Sequence, residues 1–109
     1  MHYLLDENKQ PYPVTLEEAI KLYDDPEMKI VKQETIDDVF ISTVFLGMDH
    51  SWSHEPDHIP VLWETMIFGG EYSDYQERYT SYHDALEGHQ KAIDLVNKKI
   101  IQDNGNYSN

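Results

Sequence analysis

The chain contains no cysteine, so disulfides and thiolate metal sites have no part in it. That absence fits a cytoplasmic protein. No apolar run approaches the ~20 residues of a membrane span. The first residues, Met1 to Glu7, lack both the basic and the long apolar portion of a secretory signal. Positive charge is scarce: eight Lys and Arg face 21 Asp and Glu, a formal net charge of −13. Arg78 is the one guanidinium. Such a chain repels nucleic acid and anionic membrane and is drawn to basic protein surfaces. The same acidity keeps it soluble. Catalytic signatures are missing too, with no Ser-His-Asp or Cys-His pattern legible. Gly69-Gly70 is followed by Glu71, which opposes a phosphate rather than cradling it. No enzyme activity and no cofactor are expected.

What is present fits one domain. A chain of 109 residues buries roughly 65% of its extended surface on folding, enough for one core. Residues 1–101 read as a single α+β domain and residues 102–109 as a polar, disordered tail. The middle of the chain reads VFISTVFLGMDH, a histidine-rich loop, and PVLWETMIFGG. Two runs of β-branched and aromatic residues, each closed by Gly, predict a pair of central strands. Residues 39 to 46 and 61 to 68 carry apolar side chains at both parities. A strand with one solvent face would alternate, so these strands are expected to be covered on both faces. Two helices could supply one layer each, or a second subunit could supply one.

The remaining elements follow from local signals. His2 to Leu5 predict a short strand, and Pro11 and Pro13 an extended lead-in to a helix. Thr15 and Glu18 form a T-x-x-E capping box, with Val14 and Ala19 spaced as a hydrophobic staple. The helix Leu16 to Tyr23 places Leu16, Ala19, Ile20 and Tyr23 on one stripe, and Asp24-Asp25-Pro26 stops it. Lys29 to Thr35 predict a polar strand joined to Val39 by a tight turn at Ile36-Asp37-Asp38. A further strand is expected near Arg78-Tyr79-Thr80. Ser81 and Asp84 start a long helix whose stripe is Ala85, Leu86, His89, Ala92, Ile93, Val96 and Ile100. Gly88 costs that helix ~1 kcal/mol relative to Ala, which implies close packing against the sheet. The sum is an antiparallel sheet of three to five strands with two helices, the longer one C-terminal.

Several polar groups are candidates for chemistry. Asp49, His50, His54, Asp57 and His58 crowd the loop between the central strands and are zinc-type ligands. Their D-H-x3-H-x2-D-H spacing matches no zinc motif, so a solvated polar loop is the expectation and no metal site is assigned. Glu64 falls on a strand expected to be buried and needs a partner, which Arg78 supplies if their strands are neighbours. His89, on an apolar stripe, is expected to be a core histidine bonded to backbone. Trp52, Tyr72, Tyr75, Tyr79 and Tyr82 flank the central strands, where such side chains either face a protein partner or cap the sheet.

The segments Ser42 to His50 and Glu64 to Gly70, followed by Arg78-Tyr79, Ala85 and Gly88-His89, resemble a family of short proteins encoded in phage and prophage genomes. The resemblance covers roughly residues 39 to 96 and excludes His54 to His58. It implies a phage accessory origin rather than an activity, and it includes Asp49, His50, Glu64 and Arg78. Together with the charge, it yields the expectation of a non-enzymatic protein that binds a basic surface of a host or phage protein. One such role is inhibition of a nucleic-acid-binding defence enzyme. The binding residues expected are Asp49, His50, Trp52, Glu64, Tyr72, Tyr75 and Arg78, with no direct contact to nucleic acid or membrane. A small-molecule or metal site at Asp49, His50, Glu64 and Arg78 is the alternative, and a self-assembling homo-oligomer the third reading.

Overall fold

In the computed structural model, residues 1–53 and 55–107 are described, with side chains as far as residue 103. The order is β1 (His2–Leu5), β2 (Pro11–Val14), α1 (Leu16–Asp24), a 3-10 turn (Pro26–Lys29), β3 (Ile30–Ile36), β4 (Val39–Phe45), β5 (Trp63–Phe68), β6 (Gln76–Tyr79) and α2 (Tyr82–Tyr107). The four later strands form one antiparallel sheet in the order β3-β4-β5-β6, and β1 pairs with β2 in a separate hairpin. This is an α+β fold with the longer helix C-terminal.

Local chemistry explains most boundaries. Thr15 caps α1: its hydroxyl accepts from the Glu18 amide at 3.2 Å and donates to the Glu18 carboxylate at 3.2 Å. Asp37 takes φ of 52°, which closes the two-residue turn between β3 and β4; an acidic residue tolerates that conformation better than a β-branched one. Ser81 caps α2 by accepting from the Asp84 amide at 3.0 Å. The lead-in at Pro11–Val14, expected to be merely extended, is a strand. Its prolines sit on a two-stranded edge, where a missing N–H costs no central ladder bond.

Two expectations about helices need correction. On α1 the buried residues are Ala19 and Leu22, whereas Leu16, Ile20 and Tyr23 stay exposed. Leu22 lies against Gly47, where a Cβ would overlap its methyl group, and that fit rotates the helix away from the stripe expected. At the other end, α2 continues to Tyr107, past residue 102 where a disordered tail was expected. Lys99 and Asp103 pair one turn apart at 3.4 Å, which supports the extra turn. Residues 108 and 109 lie outside the described residues.

The core lies between α2 and one face of the large sheet. Ile41 and Ile67 meet Ala92, Ile93 and Val96, while Phe45, Trp63 and Leu62 meet Ala85 and Leu22. At Gly88 a Cβ would overlap the Tyr79 ring, so the glycine is there for close approach to the sheet, as expected. The opposite face is formed by Gln33, Thr35, Phe40, Ser42, Val44, Glu64, Met66, Phe68, Gln76 and Arg78, as the strand registers require. Phe40, Val44, Met66 and Phe68 join neither core cluster. Of the two kinds of cover considered, one helix on each face is not what the structure shows. α1 packs on β1 and the 3-10 turn instead, because Leu22 reaches the end of the same face that α2 covers.

Candidate functional site

Three polar groupings emerge, and they use the candidate residues differently. The first organises the loop between β4 and β5. Asp49 Oδ1 accepts from the amides of Ser51 at 2.8 Å and Val61 at 2.9 Å, and Oδ2 lies 2.5 Å from His58 Nε2. His58 Nδ1 lies 2.6 Å from the Glu55 carbonyl. Both partners of the imidazole are acceptors, so the protonated ring, with two donors, satisfies both. Burial works against ionisation of Asp49, yet the His58, Ser51 and Val61 bonds outweigh it and hold the carboxyl well below the usual carboxylate range. The Asp49 carboxylate, with the Glu55 carbonyl, raises His58 above its ordinary value.

This loop is thus a hydrogen-bonded structure and not simply solvated chain. His50 Nδ1–H donates to the Met48 carbonyl oxygen at 2.7 Å. Trp52 stands 92% exposed. Among the described residues no three His, Asp or Glu side chains converge on a point that would hold a metal. His54 lies outside the described residues.

The second grouping pairs Glu64 with Arg78. The two sit opposite each other in the β5–β6 register, and Arg78 Nε donates to Glu64 Oε2 at 2.9 Å. Gln76 Nε2 donates to the same oxygen at 2.7 Å. Glu64 is buried and its partners lie at the surface, so the pair neutralises a carboxylate on an otherwise uncharged face. The structure brings Glu64 to Arg78 and Asp49 to His58, but it does not gather Asp49, His50, Glu64 and Arg78 into one site.

The third grouping centres on His89, and its other members, Thr43, Thr65 and Glu34, are not among the candidate residues. His89 Nδ1 lies 2.7 Å from the Thr43 hydroxyl, which lies 2.5 Å from the Thr65 hydroxyl. On the other side of the ring, Nε2 lies 3.5 Å from a Glu34 carboxylate oxygen. His89 is a core histidine, as expected, but its partners are side chains rather than backbone. Burial lowers its pKa, against the pull of Glu34 and with that of Lys32. Nε2 is buried and makes no hydrogen bond among the described residues; in the tautomer that turns its proton toward Glu34, Nδ1 accepts from Thr43 and Thr43 from Thr65. The order Thr-His-Glu is that of a nucleophile, a base and an orienting group. Thr43 and His89 are both 0% exposed, so no substrate reaches them and the line acts in packing. Only the strand register could reveal it, since the four residues come from distant parts of the chain.

Tyr72 and Tyr75 pack half-buried on the α2 core, and burial raises the Tyr75 hydroxyl above its ordinary value. Tyr75 and Arg78 also border an open groove of about 460 Å³ between β6 and α2, together with Glu77, Asp84, Glu87 and Lys91. Its charges are mixed and its acids outnumber its bases. No helix of the described residues is long and apolar enough to cross a membrane. No family model matches the chain, and neither the curated proteins nor the solved structures contain a match to it.

Proposed function

We propose that this chain is a small accessory protein that acts without catalysis by docking on a basic surface of another protein. The observation that carries this reading is the run of exposed carboxylates on α1 and the 3-10 turn: Glu17, Glu18, Asp24, Asp25 and Glu27. Among the described residues none of the five takes part in an ion pair. In a chain of net charge −13 they present an uncompensated field to a cationic partner. A phage-encoded inhibitor of a nucleic-acid-binding host enzyme is the setting that the sequence resemblance supplies. A partner of that kind offers a basic groove shaped for a polyanion.

A ligand site built from Asp49, His50, Glu64 and Arg78 has less support, because those residues divide between separate hydrogen-bonded groups. The test is native mass spectrometry on protein recovered from host lysate at low and high salt. The expected result is a basic partner present at low salt and released at high salt, since exposed charges are screened beyond ~8 Å at physiological ionic strength. Replacing the five carboxylates by Gln and Asn should abolish its capture. Capture indifferent to salt and to those replacements would overturn the reading.

A further inference from the structure

We propose that the bare face of the four-stranded sheet is a self-association surface, covered by the same face of a second copy in a two-fold dimer. The argument starts from charge. Copies of net charge −13 repel each other, so any surface that joins them must be nearly free of carboxylates. Of 21 acidic residues, this face holds Glu64 alone, and Arg78 and Gln76 bind its carboxylate within the same copy. The remaining members are Gln33, Thr35, Phe40, Ser42, Val44, Met66 and Phe68.

Two sets of polar groups on the face are already partnered across the strands, which lowers the cost of removing water from them. Gln33 Nε2 donates to the Ser42 hydroxyl at 2.9 Å, and Glu64 is held as described. The apolar members lie in two places. Phe40 and Phe68 stack at a centroid distance of 6.1 Å at one end, and Met66 and Val44 lie on the two central strands. Phe68 is left 46% exposed in the single copy. The one carboxylate here, Glu64, is already bound by Arg78 and Gln76, so the docking surface proposed above and this one are separate.

Size sets the strength. Four strands at ~4.8 Å spacing and about six residues at ~3.3 Å each give a footprint on the order of 400 Å² per copy. That lies below the ~800 Å² per partner of a standard interface. The dimer is therefore reversible and concentration-dependent rather than obligate.

Sedimentation equilibrium of the full chain, up to millimolar concentration, tests this. The expected result is a reversible monomer–dimer equilibrium that tightens as salt rises, because screening weakens the repulsion between copies. Docking on a basic partner loosens with salt, so the two proposals fail independently. Phe68→Glu should weaken the dimer by about tenfold or more while leaving the circular dichroism spectrum unchanged, since the side chain is half out of the fold already. Met66→Cys gives an otherwise cysteine-free chain one thiol at the centre of the face. Because facing sheets stand ~10 Å apart, too far for a direct disulfide, a short bis-maleimide should link two copies of that variant, whereas it should not link Glu17→Cys on α1. A chain that stays monomeric at millimolar concentration overturns the proposal. So does a dimer that Phe68→Glu leaves intact and that Met66→Cys fails to trap.

Discussion

The Thr43 hydroxyl lies 2.7 Å from His89 Nδ1, beneath α2 and on the two most central elements of the fold. Removing that hydroxyl with Thr43→Val keeps the shape but leaves a buried ring nitrogen without a partner. The expected cost is about 1–3 kcal/mol, or roughly 4–8 °C in melting temperature per kcal/mol for a domain of this size. Thermal denaturation of the variant against wild type measures it.

The same histidine gives stability a slope on the acid side. Burial lowers the pKa of His89, so the unfolded chain binds the proton more readily than the folded one. Its contribution is whole above the ordinary value of ~6.5 and declines as pH falls from there toward the folded value. Urea midpoints between pH 7.5 and 5 should fall for wild type, and a His89→Gln variant should show a flatter profile.

On the β4–β5 loop His58 imposes the opposite dependence, while Asp49 sets a limit on the acid side. His58 is raised by its carboxylate partner, so its contribution is whole below ~6.5 and is lost as pH rises through the folded value. Asp49 is depressed, so its contribution is whole above ~3.9 and is lost as pH falls. The loop is thus tightest between those two limits. A proton NMR titration of the His58 ring should give a midpoint above the ordinary histidine value, and Asp49→Asn should bring it back.

Glu64→Gln tests whether the Glu64–Arg78 pair holds the sheet together. Arg78 is 39% exposed, so solvent screens part of the interaction and the expected loss is about 1–2 kcal/mol. A melting temperature equal to wild type would show that the pair is not needed for the fold.

Gly88→Ala sets two effects against each other. A mid-helix alanine gains about 1 kcal/mol over glycine, while overlap with the Tyr79 ring forces repacking that costs about 1–3 kcal/mol. Net destabilisation is expected in wild type. In a Tyr79→Ala background the same substitution should become stabilising, which a double-mutant cycle by chemical denaturation resolves.

Much of the fold was legible because its signals are local. The Thr15 and Ser81 caps, the turn at Asp37, the long stripe of α2 and the tight packing at Gly88 each depend on residues a few positions apart. α1 was harder: nine residues offer two apolar stripes, and only the contact of Leu22 with Gly47 and Phe45 selects between them. The Thr43–Thr65–His89–Glu34 line needed the strand register, which no local pattern contains. The loop histidines were visible as a cluster, yet which carboxylate holds which ring depends on how residues 49 to 61 fold back. The apolar residues at both parities of β4 and β5 predicted cover on both faces, yet α2 covers only one of them and Phe40, Val44, Met66 and Phe68 join no core cluster.

The sheet order β3-β4-β5-β6 has a kinetic consequence. Each strand pairs with its neighbour in the chain, so no pairing waits for a distant segment to arrive. The β3–β4 hairpin closes over two residues, Asp37 and Asp38, and incurs the least loop-closure entropy. Joining β4 to β5 must close residues 46 to 62, the longest gap in the meander. Folding is thus expected to be fast, with a nucleus at the β3–β4 turn. Substitutions around Asp37 should slow refolding, while substitutions in the histidine loop should mainly speed unfolding.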